Sequence, residues 1–211
     1  MGNIFRLSFI LAIVTLIAAW VLAEIYNITR PQIELQKQAK TRKALQIVLP
    51  EAKVVKPIVR KVPVKDSKGN TLYERSEVVY YIGYADADST QISGYAFMAY
   101  GSGYSSIIEI MVGIDPTGKI KKIKIISQKE TPGLGARCVE DPPFDGKHWS
   151  TEQFVGKTVD DLKVDKDGGK IISITGATIT SRAITNAIKN KLQTLLPELG
   201  ITADASHKIG G

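Results

Sequence analysis

The strongest chemical signal in the sequence is a hydroxyl-rich run from Thr175 to Ser181, which reads Thr-Gly-Ala-Thr-Ile-Thr-Ser. A threonine hydroxyl is a poor nucleophile unless a base lies beside it, and no histidine lies near this run in the sequence. Glycine at position 176 allows the backbone to approach a ligand closely. If a helix begins in this run, its free N–H groups and positive dipole end favour a bound anion, most obviously a phosphate.

The residues around this run predict the elements that position it. Residues 171–173 have strand character, and apolar residues recur after the run at helical spacing. The expected apolar face of this helix consists of Ile179, Ala183, Ile184, Ala187, Ile188, Leu192, Leu195 and Leu196. The run is therefore predicted to lie where a strand turns into a helix. On spacing alone, an ordinary helix cap after a tight turn also explains it, and neither common glycine-rich phosphate-binding pattern occurs in the chain.

A second block, Glu130 to Gly135, reads Glu-Thr-Pro-Gly-Leu-Gly and lies in a long irregular stretch, residues 128–150. Irregular stretches of this length are often functional, and the glycines allow backbone N–H groups to lie close to a ligand. Taken alone, the block is also explained by a tight turn without a ligand. A further glycine-containing segment, Gly101 to Tyr104, precedes a predicted hairpin and is flexible enough to border a ligand.

Together, the two blocks resemble the flavin site of the FMN-binding domain family of the Rnf and Nqr respiratory complexes. Thr175 to Thr178 resembles the flavinylation motif of that family, in which the last threonine, here Thr178, carries FMN through a phosphoester bond. Glu130 to Gly135 resembles the other flavin-site loop of the family. The chain departs from the family pattern at Ile172, where the family usually has an aspartate.

The resemblance implies a set of FMN-binding residues but no metal site and no catalytic residue. Attachment of FMN to Thr178 implies a separate, metal-dependent flavin transferase of the ApbE type, with FAD as the donor. The helix N–H groups and the hydroxyls of Thr180 and Ser181 are then expected to hold the phosphodiester, while the flavin ring projects toward the Thr131–Leu134 loop. The complete predicted set is Thr178, Thr175, Gly176, Ala177, Thr180, Ser181, Glu130, Thr131, Gly133, Leu134 and Gly135.

The resemblance further implies an electron-transfer subunit of a membrane complex. The chain is most similar to the G subunits of Rnf complexes, which are ion-translocating ferredoxin:NAD oxidoreductases. Two alternatives remain at this point, namely the C subunit of an Nqr-type sodium-translocating NADH:quinone oxidoreductase and a membrane-tethered binding module without redox function. The expected partners are the other membrane, iron–sulfur and flavin subunits of the complex, because this chain has no nicotinamide-binding pattern of its own.

Composition narrows the possible chemistry. The chain has 211 residues and a formal net charge of +7, but its lysines are spread along the sequence and no nucleic-acid-binding module is evident. Cys138 is the only cysteine, so an intrachain disulfide and a cysteine-rich iron–sulfur site are both excluded. The two histidines, His148 and His207, lack the spacing of metal ligands.

The N-terminal segment predicts a membrane anchor. Residues 7–23 contain no charged residue and, with their apolar flanks, reach the roughly 20 residues that span a bilayer. The alternative is a cleaved signal peptide that ends near Ala23. The expected organisation is an anchor at 1–27, an amphipathic stalk helix at 28–50 that begins near Pro31, an FMN-binding domain at 51–202 and a flexible tail at 203–211. The resemblance places this domain outside the cytoplasm, on a single-pass anchor in the cell (inner) membrane.

The region between the stalk and the flavin blocks predicts mainly β structure. The expected strands are 54–64, at a sheet edge because of two prolines, then 78–84, 92–100, 107–114 and 120–126, with turns at 66–70 and 115–119. The predicted fold class is therefore α+β, with a transmembrane helix, a helical stalk, and a mixed domain in which helices flank a mainly antiparallel sheet.

Overall fold

The computed structural model describes residues 2–65, 71–140 and 142–201. The predicted turn at 66–70 and the predicted tail at 203–211 lie outside these residues. The elements are helix α1 (Gly2–Val48), strands β1 (Val54–Lys65), β2 (Thr71–Tyr84), β3 (Ile92–Ser102), β4 (Ile107–Ile114) and β5 (Ile120–Ser127), and helix α2 (Thr178–Glu198). Four short 3₁₀ turns lie between β5 and α2, at Gly135–Val139, Thr151–Phe154, Val159–Asp161 and Asp165–Asp167.

Helix α1 is continuous over 47 residues and includes both the predicted anchor and the predicted stalk. It contains an apolar window with a mean hydropathy of 2.3, none of which is buried. The prediction that Pro31 lies in the first turn of a separate stalk helix is wrong, because the helix continues through it. A proline inside a helix removes one backbone hydrogen bond, and the good helix formers that follow it, at residues 34–40, favour the helical conformation. The contacts within the chain divide it into two units, Met1–Arg42 and Lys43–Gly211.

The second unit is built around a five-stranded antiparallel sheet in which the strands follow one another in chain order, β1-β2-β3-β4-β5. With a long apolar N-terminal helix and a C-terminal helix, this arrangement confirms the predicted α+β class. The predicted strand pair at 107–114 and 120–126 is confirmed. Strand β2 begins seven residues before the predicted Val78, because its first half pairs with β1 in a two-stranded ribbon.

Each face of this sheet carries its own apolar cluster. On one face, Phe97, Ile110 and Val112 belong to the cluster that also contains Ile184 and Ile188 of α2. On the other face, Ala96 and Met111 pack with Val48 and Leu49, at and just after the end of α1. Because α2 is fixed to the sheet by this core, its first turn is held in a defined place beside the loops that follow β3 and β5.

Candidate functional site

The two blocks singled out in the sequence meet at the carboxylate of Glu130. This side chain is 5% exposed, and its Oε2 accepts a hydrogen bond of 2.7 Å from the hydroxyl of Thr180, which lies 50 residues further along the chain. Gly135 is buried beside the same pair, and a Cβ at this position would lie 2.6 Å from Thr180 Oγ1. Glycine at position 135 is therefore required for the loop to approach the first turn of α2.

The same carboxylate also holds the turn between β3 and β4. Glu130 Oε2 accepts from the backbone N–H of Tyr104 at 3.0 Å, and Oε1 accepts from the N–H groups of Ser105 and Ser106 at 3.0 and 2.9 Å. The Ser106 hydroxyl adds a fifth bond, at 3.1 Å. Burial alone would raise the pKa of the Glu130 carboxyl, but the hydrogen bonds from Thr180 and the turn outweigh burial and hold this pKa below its ordinary value.

Helix α2 begins without a side-chain cap. The N-cap position is occupied by Ala177, and no side chain bonds the free N–H groups there, so the ordinary-cap explanation of the threonines is wrong. The N–H of Ser181 donates to the Ala177 carbonyl at 3.1 Å, which leaves the earlier amides of the helix without a helical acceptor. Within the described residues, these amides are the donors that an anion at the helix start would use.

Thr178 is the first residue of α2 and is partly exposed. No hydrogen bond joins its hydroxyl to another group in the described part of the chain. Thr175, three residues earlier, is exposed in the turn that leads into the helix. The Thr178 hydroxyl is therefore free to react with a group brought from outside.

Two apolar side chains lie exposed beside Thr178. Gly176 has a left-handed backbone with φ of 77°, and a Cβ there would lie 3.0 Å from Cδ2 of Leu134. Leu134 is 44% exposed and Ile179 is 50% exposed. The prediction that Ile179 belongs to the apolar core face of α2 is wrong, because the helix turns this residue toward solvent while Ile184 and Ile188 are buried.

The hydroxyls of Thr180 and Ser181 do not point toward a ligand. Thr180 donates to Glu130, and Ser181 donates to the Ala177 carbonyl at 3.1 Å while it accepts from the N–H of Ile174 at 2.9 Å. Both side chains are buried, at 1% and 0% exposure. The expectation that these hydroxyls bind the phosphodiester does not agree with this geometry, because both are already used to fix the start of α2.

The segment before the motif is not the strand that the sequence predicts. Of residues 171–173, only Ile171 forms a bridge, a parallel one with Val164. The buried amide of Gln153 replaces a strand partner, since it accepts from Ile172 N–H at 2.7 Å and donates to the Ile172 carbonyl at 3.3 Å. Side-chain hydrogen bonds of this kind leave no periodic pattern in the sequence, so the apolar residues alone predict a strand.

The remaining predicted residues lie in the loop after β5. The carbonyl of Thr131 accepts from the N–H groups of Leu134 and Ala136, both at 3.2 Å, which closes the loop as a turn. Thr131 and Gly133 are exposed. The structure thus brings Glu130, Leu134, Gly135 and the Thr175–Ser181 run together, with Thr131 and Gly133 at the rim.

The main residues that sequence reasoning missed are Ser105 and Ser106, which bind Glu130 through their backbone. The glycines at 101 and 103 indicated a flexible segment that could border a ligand. Nothing in the sequence linked this segment to a glutamate more than 20 residues away. Tyr104, at the same turn, is 73% exposed and adds an aromatic ring to the rim.

A cavity of about 330 Å³ borders the start of the motif at Thr175. Its lining includes Arg137, Pro143, His148, Trp149 and Thr175. The ring of His148 pairs with Asp145 at 2.6 Å, and this bond is the main cause that lowers the pKa of Asp145. Among the described residues, no group of three potential metal ligands comes together.

Two family models match the sequence. The first is described as an FMN-binding domain and matches residues 103–193. It covers both blocks, the β3–β4 turn and most of α2. The second is described as the RnfG N-terminal region and matches residues 1–48, a range that includes all of α1.

Curated relatives match over nearly the whole chain. The G subunit of the ion-translocating oxidoreductase complex of Pasteurella multocida (strain Pm70) is 31% identical, over 91% of this chain and 93% of the relative. The G subunit of the proton-translocating ferredoxin:NAD(+) oxidoreductase complex of Clostridium ljungdahlii (strain ATCC 55383 / DSM 13528 / PETC) is 32% identical, over 91% of each chain.

Solved structures share the fold. The crystal structure of Shewanella oneidensis NqrC is similar with a TM-score of 0.57 at 19% identity, over 80% of this chain and 100% of that chain. The C subunit of the Na(+)-translocating NADH-quinone reductase from Parabacteroides distasonis is similar with a TM-score of 0.52 at 20% identity, over 79% of this chain and 95% of that chain.

Proposed function

Because the chain belongs to the family of G subunits of ion-translocating oxidoreductase complexes, we propose that it carries FMN covalently on Thr178 and passes electrons within an Rnf-type complex. The FMN-binding domain and the G-subunit relatives support a role as an electron-transfer subunit of such a complex. The proposal goes beyond this role in three points, namely the covalent bond, its site and the ferredoxin:NAD reaction. The single observation that carries the site is the free Thr178 hydroxyl at an uncapped helix start.

The residues present fit an attached flavin phosphate. A phosphodiester on Thr178 retains one negative charge, and the free amides at the start of α2 lie at the same place in the chain to receive it. Leu134, Ile179 and Tyr104 offer exposed apolar surface for a planar ring. Thr180 and Ser181 hold the first turn of the helix through buried bonds, so the acceptor hydroxyl keeps a fixed position.

Attachment requires a second protein, because no base lies within hydrogen-bonding distance of Thr178 in the described residues. We propose that a flavin transferase supplies this base and takes the hydroxyl proton. The Thr178 oxygen then forms a bond to the flavin phosphate, the pyrophosphate bond of FAD breaks, and AMP leaves. An attached FMN would supply the capacity to accept and release electrons, and this chain's residues would hold the phosphate and contact the ring.

The rest of the reaction belongs to partner subunits. The chain has a single cysteine, so no cysteine-ligated iron–sulfur cluster can be built from it alone. The relative from Clostridium ljungdahlii is a subunit of a ferredoxin:NAD(+) oxidoreductase complex. We propose that ferredoxin oxidation, NAD reduction and ion transport occur on other subunits, and that this chain connects them as an electron relay.

The proposed location is the membrane, with α1 as a retained anchor at residues 1–27, a stalk at 28–50, and the FMN domain at 51–202 on the extracytoplasmic side. The support is one helix long and apolar enough to cross a bilayer, together with the match of residues 1–48 to the N-terminal region model. A covalent tether also suits that side, where free FMN would be scarce and a dissociated cofactor would be lost.

Co-expression with a flavin transferase tests the proposal. The full chain is expected to fluoresce under ultraviolet light after denaturing electrophoresis, and Thr178→Ala is expected to abolish the fluorescence. Thr194→Ala is the matched control, since it removes an exposed hydroxyl from the same helix that bonds only the Asn190 carbonyl. Fluorescence that persists in Thr178→Ala would refute the site, and a dark wild-type band would refute covalent attachment.

A further inference from the structure

Glu130 is the only buried charged residue among those that the structure describes. No lysine, arginine or histidine lies within ion-pair distance of its carboxylate in the described part of the chain. A buried carboxylate without a cation is costly unless hydrogen bonds compensate for the lost water. Here five donors do so, three of them backbone N–H groups. The chain therefore maintains a fixed negative charge within the loop cluster that borders Thr178.

We propose that Glu130 is a positioning residue that also sets the electron affinity of the flavin, by placing a permanent negative charge beneath the Thr131–Leu134 loop. This inference rests on the proposed function, because it assumes a flavin on Thr178. It assigns Glu130 a different role from the ligand contact that the sequence suggests. Both carboxylate oxygens are already occupied by donors of the protein, so the side chain acts on the flavin through its charge and through the loops it holds.

The position of the charge supports this role. Thr131 follows Glu130 directly in the chain, and Thr180, which bonds the carboxylate, lies two residues after Thr178. Each electron that enters the flavin adds negative charge unless a proton accompanies it. A nearby fixed anion in a poorly solvated site opposes that change more strongly than the same charge would in water. Glu130 should therefore lower the midpoint potential of the bound flavin.

The negative charge of Glu130 also affects the thiol of Cys138. Burial, followed by the negative charge of Glu130, raises the pKa of the Cys138 thiol to about 11. The groups that face the carboxylate from the packed elements are the Tyr104–Ser106 turn, Thr180 of α2 and this thiol. The turn and Thr180 offer neutral donors, and the raised pKa keeps the thiol uncharged near neutral pH. The charge of Glu130 is thus not cancelled locally.

Redox titration of the flavinylated full chain in detergent tests the proposal. Glu130→Gln removes the charge and nearly preserves the shape, and it is expected to favour flavin reduction at least tenfold, which is about 30 mV for a two-electron couple. Ser106→Ala removes a hydroxyl that donates to the carboxylate and accepts from the N–H of Lys129, but it keeps the charge of Glu130, and it should shift the midpoint potential at pH 7 by much less than Glu130→Gln does. Equal shifts of the midpoint potential in both variants would show a purely structural role and overturn the proposal. An unchanged midpoint potential in Glu130→Gln would also overturn it.

A second arm covers the case in which Glu130→Gln does not fold. With one hydrogen bond fewer, Ser106→Ala should protonate Glu130 at a higher pH than the wild type does. Its flavin potential should therefore rise above the wild-type value as the pH falls toward the pKa of Glu130, and the two potentials should converge at high pH. Equal potentials at every pH would overturn the proposal.

A flavin-free readout separates this inference from the proposed function. In the Thr178→Ala chain, a carboxyl titration by NMR should show Glu130 titrating below its ordinary value of 4.5, and titration above that value would contradict the permanent charge. If the wild-type chain carries no flavin, the proposed function fails. If it carries flavin and Glu130→Gln leaves the potential unchanged, only this inference fails.

Discussion

At the scale of single residues, the site combines one free group with several fixed ones. Thr178 has a hydroxyl without a partner in the described residues, whereas Thr180, Ser181 and Glu130 are fully hydrogen-bonded and buried. Of the four hydroxyl residues within these seven positions, the proposed modification would therefore find only the accessible ones. Only Thr178 and Thr175 are accessible, and only Thr178 lies at the start of the helix.

Glycine should be needed at position 176 because the backbone is left-handed there and because Leu134 lies close to it. Gly176→Ala forces an L-residue into a left-handed conformation, which costs roughly 1–2 kcal/mol, and adds a Cβ 3.0 Å from Leu134 Cδ2. Gly156→Ala is the matched control, because its φ of 74° carries similar strain, nothing lies within 4 Å of the added Cβ, and it lies outside the predicted FMN-binding set. Chemical denaturation should show a similar loss of stability in both variants. Only Gly176→Ala should also reduce the yield of flavinylation, and equal yields would contradict the role of the Leu134 contact.

Glu130 should make stability depend on pH. Its pKa in the folded chain is lowered, so the unfolded chain binds the proton more readily. The stabilisation is therefore present above the unfolded pKa of about 4.3 and is lost as pH falls through the folded pKa. Thermal unfolding of wild type and Glu130→Gln should differ most near pH 7, and the difference should shrink on acidification. A difference that grows toward low pH would contradict the assigned charge.

At the level of the elements, side chains supply backbone hydrogen bonds that a neighbouring strand would supply in a regular sheet. The segment before the motif has one bridge residue, and its remaining backbone groups bond Gln153, Asp165 and Ser181. Two parts of the chain were predictable for a physical reason. Helix α2 buries one face and leaves a repeating pattern, and strand β4 is buried on both faces and leaves a run of apolar residues. The ribbon of β1 and β2, the Gln153 bonds and the Glu130 bonds leave no such pattern, so the contacts that assemble the site were not visible in the sequence.

Gln153 should therefore be required for the motif to hold its place. Gln153→Ala leaves the N–H and carbonyl of Ile172 without their partners in a partly buried setting, which costs about 1–3 kcal/mol. Gln193→Ala is the control, because it truncates an exposed glutamine on α2 and should change stability by less than about 0.5 kcal/mol. Urea denaturation measures both, and similar small losses would show that the Ile172 backbone does not depend on Gln153.

At the scale of the whole molecule, the chain combines a long exposed apolar helix with a separate folded unit. One family model matches residues 1–48, which include the first unit and the beginning of the second, and another matches residues 103–193 within the second unit. The sequence predicted the anchor from hydropathy and the domain class from its strand pattern. It did not predict that the helix continues through Pro31 into the second unit, because proline usually marks a helix start or a break.

The proposed side of the membrane can be read from reporter fusions to the C-terminus of the full chain. Alkaline phosphatase should be active and green fluorescent protein should be dark, because the FMN domain is placed outside the cytoplasm. A fusion to residues 1–6, before the apolar run, should give the opposite pattern. Bright green fluorescence from the C-terminal fusion would place the domain in the cytoplasm and remove the rationale for a covalent tether.

Covalent attachment of FMN to Thr178 is tested most simply by the intact mass of the chain purified from native membranes, followed by mass mapping of the peptide that contains Thr178. The expected result is a full-length chain heavier by one FMN residue, with the added mass on Thr178 and absent from Thr178→Ala. A full-length chain without added mass would contradict covalent attachment. Added mass on another residue would contradict the site at the start of α2.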